Sequence, residues 1–133
     1  MSHATDRVEI AELVGRLARA LDGRRFEDLR TIYVPHAETS SPRGALRGID
    51  DIVDVVRRTS PEHEATQHFN TDVVVDLDGD RADVSTHQLV YFFHQGEAPH
   101  RAAGVQARYT AVRTPAGWRF ARAEISPRWQ HVS

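Results

Sequence analysis

The 133-residue sequence contains no cysteine and no lysine. The first absence excludes disulfides, thiolate metal sites and a cysteine nucleophile. The second excludes Schiff-base chemistry on a lysine amine, since all 17 Lys/Arg positions are arginine. No apolar run approaches the ~20 residues of a membrane span, and the N-terminus carries no apolar signal segment. There is no Gly-x-Ser-x-Gly elbow and no glycine-rich phosphate loop. A formal net charge of −2 supplies no electrostatic footprint for nucleic acid or an anionic membrane. The expectation is a soluble, cytoplasmic protein with neither nucleic acid nor membrane as partner.

What is present is ordinary in amount: 40% hydrophobic and 27% charged residues. That suits one domain over 1–133 with a real core. Met1 to Ala4 should be loose. Asp6 with Glu9 reads as a capping pair. Ile10, Leu13, Val14, Leu17 and Leu21 then mark one helical face, which ends at Asp22-Gly23. Asp22, at the edge of that face, is either a solvated helix-end carboxylate or one aimed into a cavity. Phe26, Leu29, Ile32 and Tyr33 predict a short second helix closed by Pro35. His36 to Ser41 reads as a short strand, and Ala45 to Gly48 returns from the turn at Pro42-Arg43-Gly44. Asp50 or Asp51 can cap a third helix carrying Ile52, Val53 and Val56.

The second half reads as strands. Glu64 to Leu77 is one, with a bulge where its alternation breaks. Ala82 to His94, Arg101 to Arg113 and Trp118 to Ile125 follow. Asp78-Gly79 marks a hairpin turn between the first two. Those two carry Ala65-Thr66-Gln67-His68-Phe69-Asn70 and Ser85-Thr86-His87-Gln88-Leu89. Folding at the turn predicts that His68 and His87 approach across neighbouring strands. Two imidazoles on one sheet face would make a proton-transfer site. The plainer alternative is that they are satisfied polar strand residues. Leu89, Tyr91, Phe93, Trp118, Phe120 and Trp129 are either pocket walls or ordinary core.

Three helices and then long strands is an α+β order. Such a sheet hides its apolar face by curling around the first helix into a cone with an open mouth, a natural place for a small ligand. Val74, Val90 or Phe92 should lie on the open sheet face. Apolar residues left there predict a homodimer or homotrimer packed through the sheet.

The helix order, Asp22 at the end of the first helix, Thr66-Gln67-His68-Phe69, His87-Gln88-Leu89, Gly117-Trp118-Arg119-Phe120 and Arg128-Trp129 together resemble the nuclear transport factor 2-like superfamily. Within it the closer resemblance is to the SnoaL-like branch, and there to scytalone dehydratase. The resemblance implies a cone-like curved mixed or antiparallel sheet wrapped around N-terminal helices. It implies a pocket with no cofactor and no metal, whose acid/base centre is Asp22, His68 and His87. Gln106 stands for a family asparagine. Leu21 and Ser41 stand where the dehydratase has two tyrosines that hold a water on the substrate carbonyl, so the base is kept and that electrophilic arm is lost. Tyr33 and Tyr109 are candidate replacement hydroxyls. With Phe69, Trp118 and Trp129 they complete the expected substrate-binding set. A metal reading is weak on spacing too: His63 and His68 lie five apart with no helical register to align them.

Two functions follow. One is a lyase, isomerase or cyclase moving a proton on a small apolar or aromatic, polyketide-like carbonyl compound. The other is a non-catalytic ligand-binding or association module of the same fold.

Overall fold

Ile10, Leu13, Val14 and Leu17 form the buried stripe of helix α1, His3–Asp22. The computed structural model describes residues 3–133. Of the four residues expected to be loose, Met1 and Ser2 lie outside the described residues, and His3 and Ala4 already belong to α1. Asp6 and Glu9 do not cap the helix. Both carboxylates reach to the far end of the chain instead. Asp6 takes a two-pronged bond from Arg113, at 3.0 and 2.8 Å, and a third from Trp118 Nε1 at 3.1 Å. Glu9 accepts the Trp118 backbone N–H at 2.7 Å. These bonds pin the start of α1 to the last hairpin.

The expected second helix is only a 3-10 turn, Phe26–Thr31, and Tyr33 already belongs to strand β1, Tyr33–Ser41. Pro35 therefore sits inside a strand rather than closing a helix. The physical reason is the preference that suggested a stop: the residue before proline favours extended backbone, which is also strand backbone. Strand β2, Gly44–Arg47, pairs back on β1. Helix α2, Ile49–Arg58, starts from Gly48 with no side-chain cap. Asp50 spends its carboxylate on Arg30 at 2.6 Å rather than on the helix end. Ile52 and Val53 are the buried face of α2.

Four longer strands follow: β3 (Ala65–Asp78), β4 (Arg81–Phe93), β5 (Arg101–Thr114) and β6 (Gly117–Val132). The six strands form one curved, unclosed sheet in the order β2-β1-β6-β5-β4-β3. All neighbours are antiparallel except β1 and β6, which run parallel, so the sheet is mixed. α1 packs inside the curve with its apolar stripe against the sheet. The core gathers Ile10, Leu13, Leu17, Phe26, Leu29, Trp118 and Phe120.

One irregularity decides which side chains face the cavity. At the turn end, β3 and β4 pair as Asp78↔Arg81 and Val74↔Ser85. Between Thr71 and Val74 the register shifts by one residue on β3 alone, around Asp72 with φ of 53°. Continued without that extra residue, the pairing would set His68 opposite Tyr91, on the face of His87. With it, His68 pairs with Val90 and His87 pairs with Thr71. A one-residue insertion turns every side chain beyond it to the other face. His68 thus points into the curve and His87 points out.

The outward face has a composition of its own. Phe69, Leu89, Gly104 and Trp129 are successive partners across β3, β4, β5 and β6. The Trp129 indole lies over Gly104, where an added Cβ would come within 2.1 Å of Nε1. Phe69, Val74, Leu89 and Trp129 are exposed there, whereas Val90 is buried and Phe92 is half-buried on the inner side.

Candidate functional site

Asp22 is the last residue of α1. The chain turns away at once: Gly23 N–H bonds the Arg19 carbonyl at 2.9 Å, and Arg24 adopts a left-handed φ of 56°. That turn leaves the Asp22 carboxylate facing β3. There it meets three donors. Oδ1 is 2.6 Å from His68 Nδ1 and accepts the Thr66 hydroxyl at 3.0 Å, and Oδ2 accepts the His68 backbone N–H at 2.8 Å. Thr66 and His68 sit two apart on β3 and so share its inner face.

Burial pushes the Asp22 carboxyl up. The bonds from the His68 ring, the His68 backbone and Thr66 outweigh it and hold the group below its ordinary value. An ionised Asp22 fixes the His68 tautomer with the proton on Nδ1. It leaves Nε2 as the nitrogen free to meet a ligand.

The dyad lines a cavity of about 1050 Å³ inside the curve. Leu17, Leu21, Val90 and Phe92 give it apolar walls. Polar side chains interrupt those walls. Gln88 Nε2 bonds Asn70 Oδ1 at 2.9 Å and the Tyr109 hydroxyl at 3.4 Å. Tyr109 stacks on Phe120 with ring centres 4.3 Å apart, and Tyr33 meets the same ring edge-on at 6.0 Å. Burial pushes the Tyr109 phenol up to about 12, and it raises Tyr33 as well, with Tyr109 adding to the effect. Both phenols therefore stay protonated and act as neutral donors.

Of the residues expected at the site, Asp22 and His68 come together, and Leu21, Tyr33, Ser41 and Tyr109 line the same cavity. Four others need correction. His87 is exposed on the outer face, opposite Thr71 and Gln106, because the Asp72 bulge separates its face from that of His68. Gln106 shares that outer face and is not a cavity residue. Phe69 is 46% exposed and stacks edge-on with Tyr91, again outside. Trp118 is 1% exposed, its N–H committed to Asp6, so it is core and not wall. Trp129 stands at the rim with its indole over Gly104. Leu89 and Tyr91 likewise face out, and Val90 and Phe92 of the same strand supply the wall instead.

Thr66 and Gln88 line the cavity too, and although both stand in the two strand motifs they were not among the expected site residues. Gln88 lies beside His87 in the same motif, and a known register would have shown that it, not the histidine, points inward. Among the described residues, no three histidine or carboxylate side chains converge as a metal-ion site. No helix is long and apolar enough to cross a membrane.

The same fold recurs in solved structures. The Kfla4162 protein from Kribbella flavida is 26% identical, with 98% of this chain and 95% of that chain covered and a TM-score of 0.88. A protein from Novosphingobium aromaticivorans, provisionally named a scytalone dehydratase, is 20% identical over 98% and 89% of the two chains, with a TM-score of 0.87. The hexachlorocyclohexane dehydrochlorinase LinA-type3 from Novosphingobium barchaimii is 15% identical over 98% and 91%, with a TM-score of 0.86. No curated protein matches the sequence. The SnoaL-like domain family, however, matches residues 2–124, nearly the whole length, and the chain belongs to that family.

Proposed function

We propose that the protein is a cofactor-independent acid/base enzyme whose base is His68. The reading covers a dehydratase or other lyase, an isomerase or a cyclase. Its substrate would be a small, mostly apolar or aromatic, polyketide-like carbonyl compound held in the conical cavity. The observation that carries it is the Asp22–His68 pair, 2.6 Å apart at the wall of a largely apolar cavity.

The chemistry runs as follows. His68 Nε2 takes a proton from the carbon beside the carbonyl. The electron pair moves into the carbonyl, and the negative charge collects on its oxygen. Tyr109 and Tyr33 are the neutral donors at that end, with Gln88 orienting Tyr109. They take the place of the tyrosines that Leu21 and Ser41 do not supply. In an elimination, the electron pair returns from the oxygen to form the carbon–carbon double bond as the β-carbon–oxygen bond breaks, and the imidazolium gives its proton to the departing hydroxyl, which leaves as water. In an isomerisation, it returns the proton to a different carbon. Asp22 moves no proton. It orients the ring and stabilises its charged form. The names of two similar folds, a dehydratase and a dehydrochlorinase, both describe eliminations, one of water and the other of hydrogen chloride. The reaction would be cytoplasmic, with no nucleic acid or membrane partner, on the charge and composition of the chain.

A second reading, a ligand-binding module without turnover, is favoured by the loss of His87 from the cavity. Proton exchange in D₂O separates the two. A panel of small α,β-hydroxy carbonyl compounds should show α-proton exchange or loss of water with the wild type, and a broad panel showing neither supports the binder.

The row Phe69–Leu89–Trp129 supports a homodimer or homotrimer packed through the outer sheet face. Apolar side chains in one contiguous row are rarely left in water.

A further inference from the structure

We infer that the cavity has a second pole, at Arg101, which receives a carboxylate at the end of the ligand remote from His68. The inference rests on the cavity being the ligand site, as proposed above.

Arg101 lies at the start of β5 with its side chain on the inner wall. It is the partner of Phe92, which is the partner of Thr66. The next row along the same strands is His68, Val90 and Ala103. Arg101 is therefore two strands across and two residues along from the dyad, roughly 12 Å between backbones. Val90 and Phe92 fill the wall between them. A ligand spanning both ends has an apolar body of that order and one polar terminus.

The Arg101 guanidinium is set for a planar anion. Its carbon sits 3.6 Å over the centre of the Phe92 ring, which fixes its plane and covers one face. Its side chain is 29% exposed, so it is partly withdrawn from water. Glu64 accepts from one nitrogen, Nη2, at 3.0 Å. The guanidinium has five N–H donors, and the others have no partner among the described residues.

Glu64 is also shared. Its second oxygen accepts His100 Nε2 at 2.7 Å. One carboxylate thus serves both the Arg101 guanidinium and the His100 ring, and it takes up only one of the guanidinium nitrogens. A strap that only tied β3 to β5 would need no such surplus facing a cavity. Charge-assisted, two-pronged bonds to a carboxylate are what a planar guanidinium does best. A phenolate or carbonyl offers one oxygen and uses only half of the fork.

The test is calorimetric and needs no turnover. Biphenyl-4-carboxylate and 2-naphthoate are titrated into the full chain at pH 8, each beside its uncharged carboxamide. The wild type should bind each carboxylate on the order of 10- to 100-fold more tightly than its amide. Arg101→Gln should bring that ratio close to one while amide affinity changes little. Glu64→Gln removes the internal competitor and should raise the ratio, whereas a purely structural strap predicts weaker binding of both probes. A wild type that binds the carboxylates no better than the amides, or not at all, overturns the inference. So does a ratio that survives Arg101→Gln. A carboxylate preference with no exchange on any compound counts against the enzyme reading alone, and exchange without the preference counts against the Arg101 pole alone.

Discussion

Asp22 holds His68 twice: one carboxylate oxygen takes the ring Nδ1 at 2.6 Å and the other takes the backbone N–H at 2.8 Å. Side chain and main chain of the same residue are thereby referenced to the end of α1. The imidazole has little freedom to rotate away from the cavity, and a proton acceptor needs that kind of constraint.

His68→Ala should leave the fold intact, because the side chain lines a cavity rather than filling the core. Exchange or elimination should fall ~10²- to 10⁴-fold, the usual worth of a positioned acid/base group. Asp22→Asn should also slow turnover, through loss of the charge that orients the ring. Steady-state rates on any active compound, with circular dichroism as the folding control, decide this. Equal activity in all three proteins would remove His68 as the base.

The depressed Asp22 carboxyl predicts a pH dependence of stability. The group's pKa is lower in the folded than in the unfolded chain. Its contribution is therefore complete above the unfolded value, ~3.9, and is lost as pH falls through the folded value. Urea unfolding of wild type and Asp22→Asn should show a gap in stability at pH 6 that narrows below pH 4. A gap independent of pH would show that the charge is not what stabilises the pair.

Asp6 is a buried carboxylate with three bonds from Arg113 and Trp118. Asp6→Ala strands those donors and unpins the start of α1. Its melting temperature should fall well below that of Asp54→Ala, which removes an exposed pair with Arg58 worth ~0.3–0.5 kcal/mol. Similar melting temperatures for the two variants would contradict the pinning role.

Asp72 carries the positive φ of the β3 bulge. Asp72→Val should destabilise by ~1–2 kcal/mol, because a β-branched side chain clashes in that region. Asp72→Gly should be neutral or stabilising, since glycine adopts it freely. Denaturant midpoints measure both. If the bulge is what turns His68 inward, the valine variant should also lose more activity than its stability change explains.

Leu89→Arg places a charge in the centre of the Phe69–Leu89–Trp129 row. If that row is the contact between copies, light scattering should shift from dimer or trimer to monomer, with circular dichroism unchanged. A wild type that is monomeric at micromolar concentration would dispose of the interface.

The chain's local patterns determined a good deal by themselves. The spacing of Ile10, Leu13, Val14 and Leu17 specified α1 and its buried stripe, because helical periodicity acts within a few residues. The four long strands and the Asp78-Gly79 turn were equally legible, and the resemblance implied that Asp22 would meet a strand histidine, though not which of His68 and His87 it would be. The facing of His87 was not legible. It depends on a single extra residue near Asp72, and an insertion of one changes no composition and little alternation while inverting a whole strand segment. The 3-10 turn in place of a second helix, and Pro35 within β1, were decided by the pairing of β1 with β6, whose partners lie more than 80 residues apart. The same holds for Asp6. It reads as a helix cap, and the arrival of Arg113 and Trp118 from the other end of the chain made it a buried anchor. Side chains three or four positions apart meet in any helix, but which distant strand meets a given carboxylate is settled only when the sheet curves around α1.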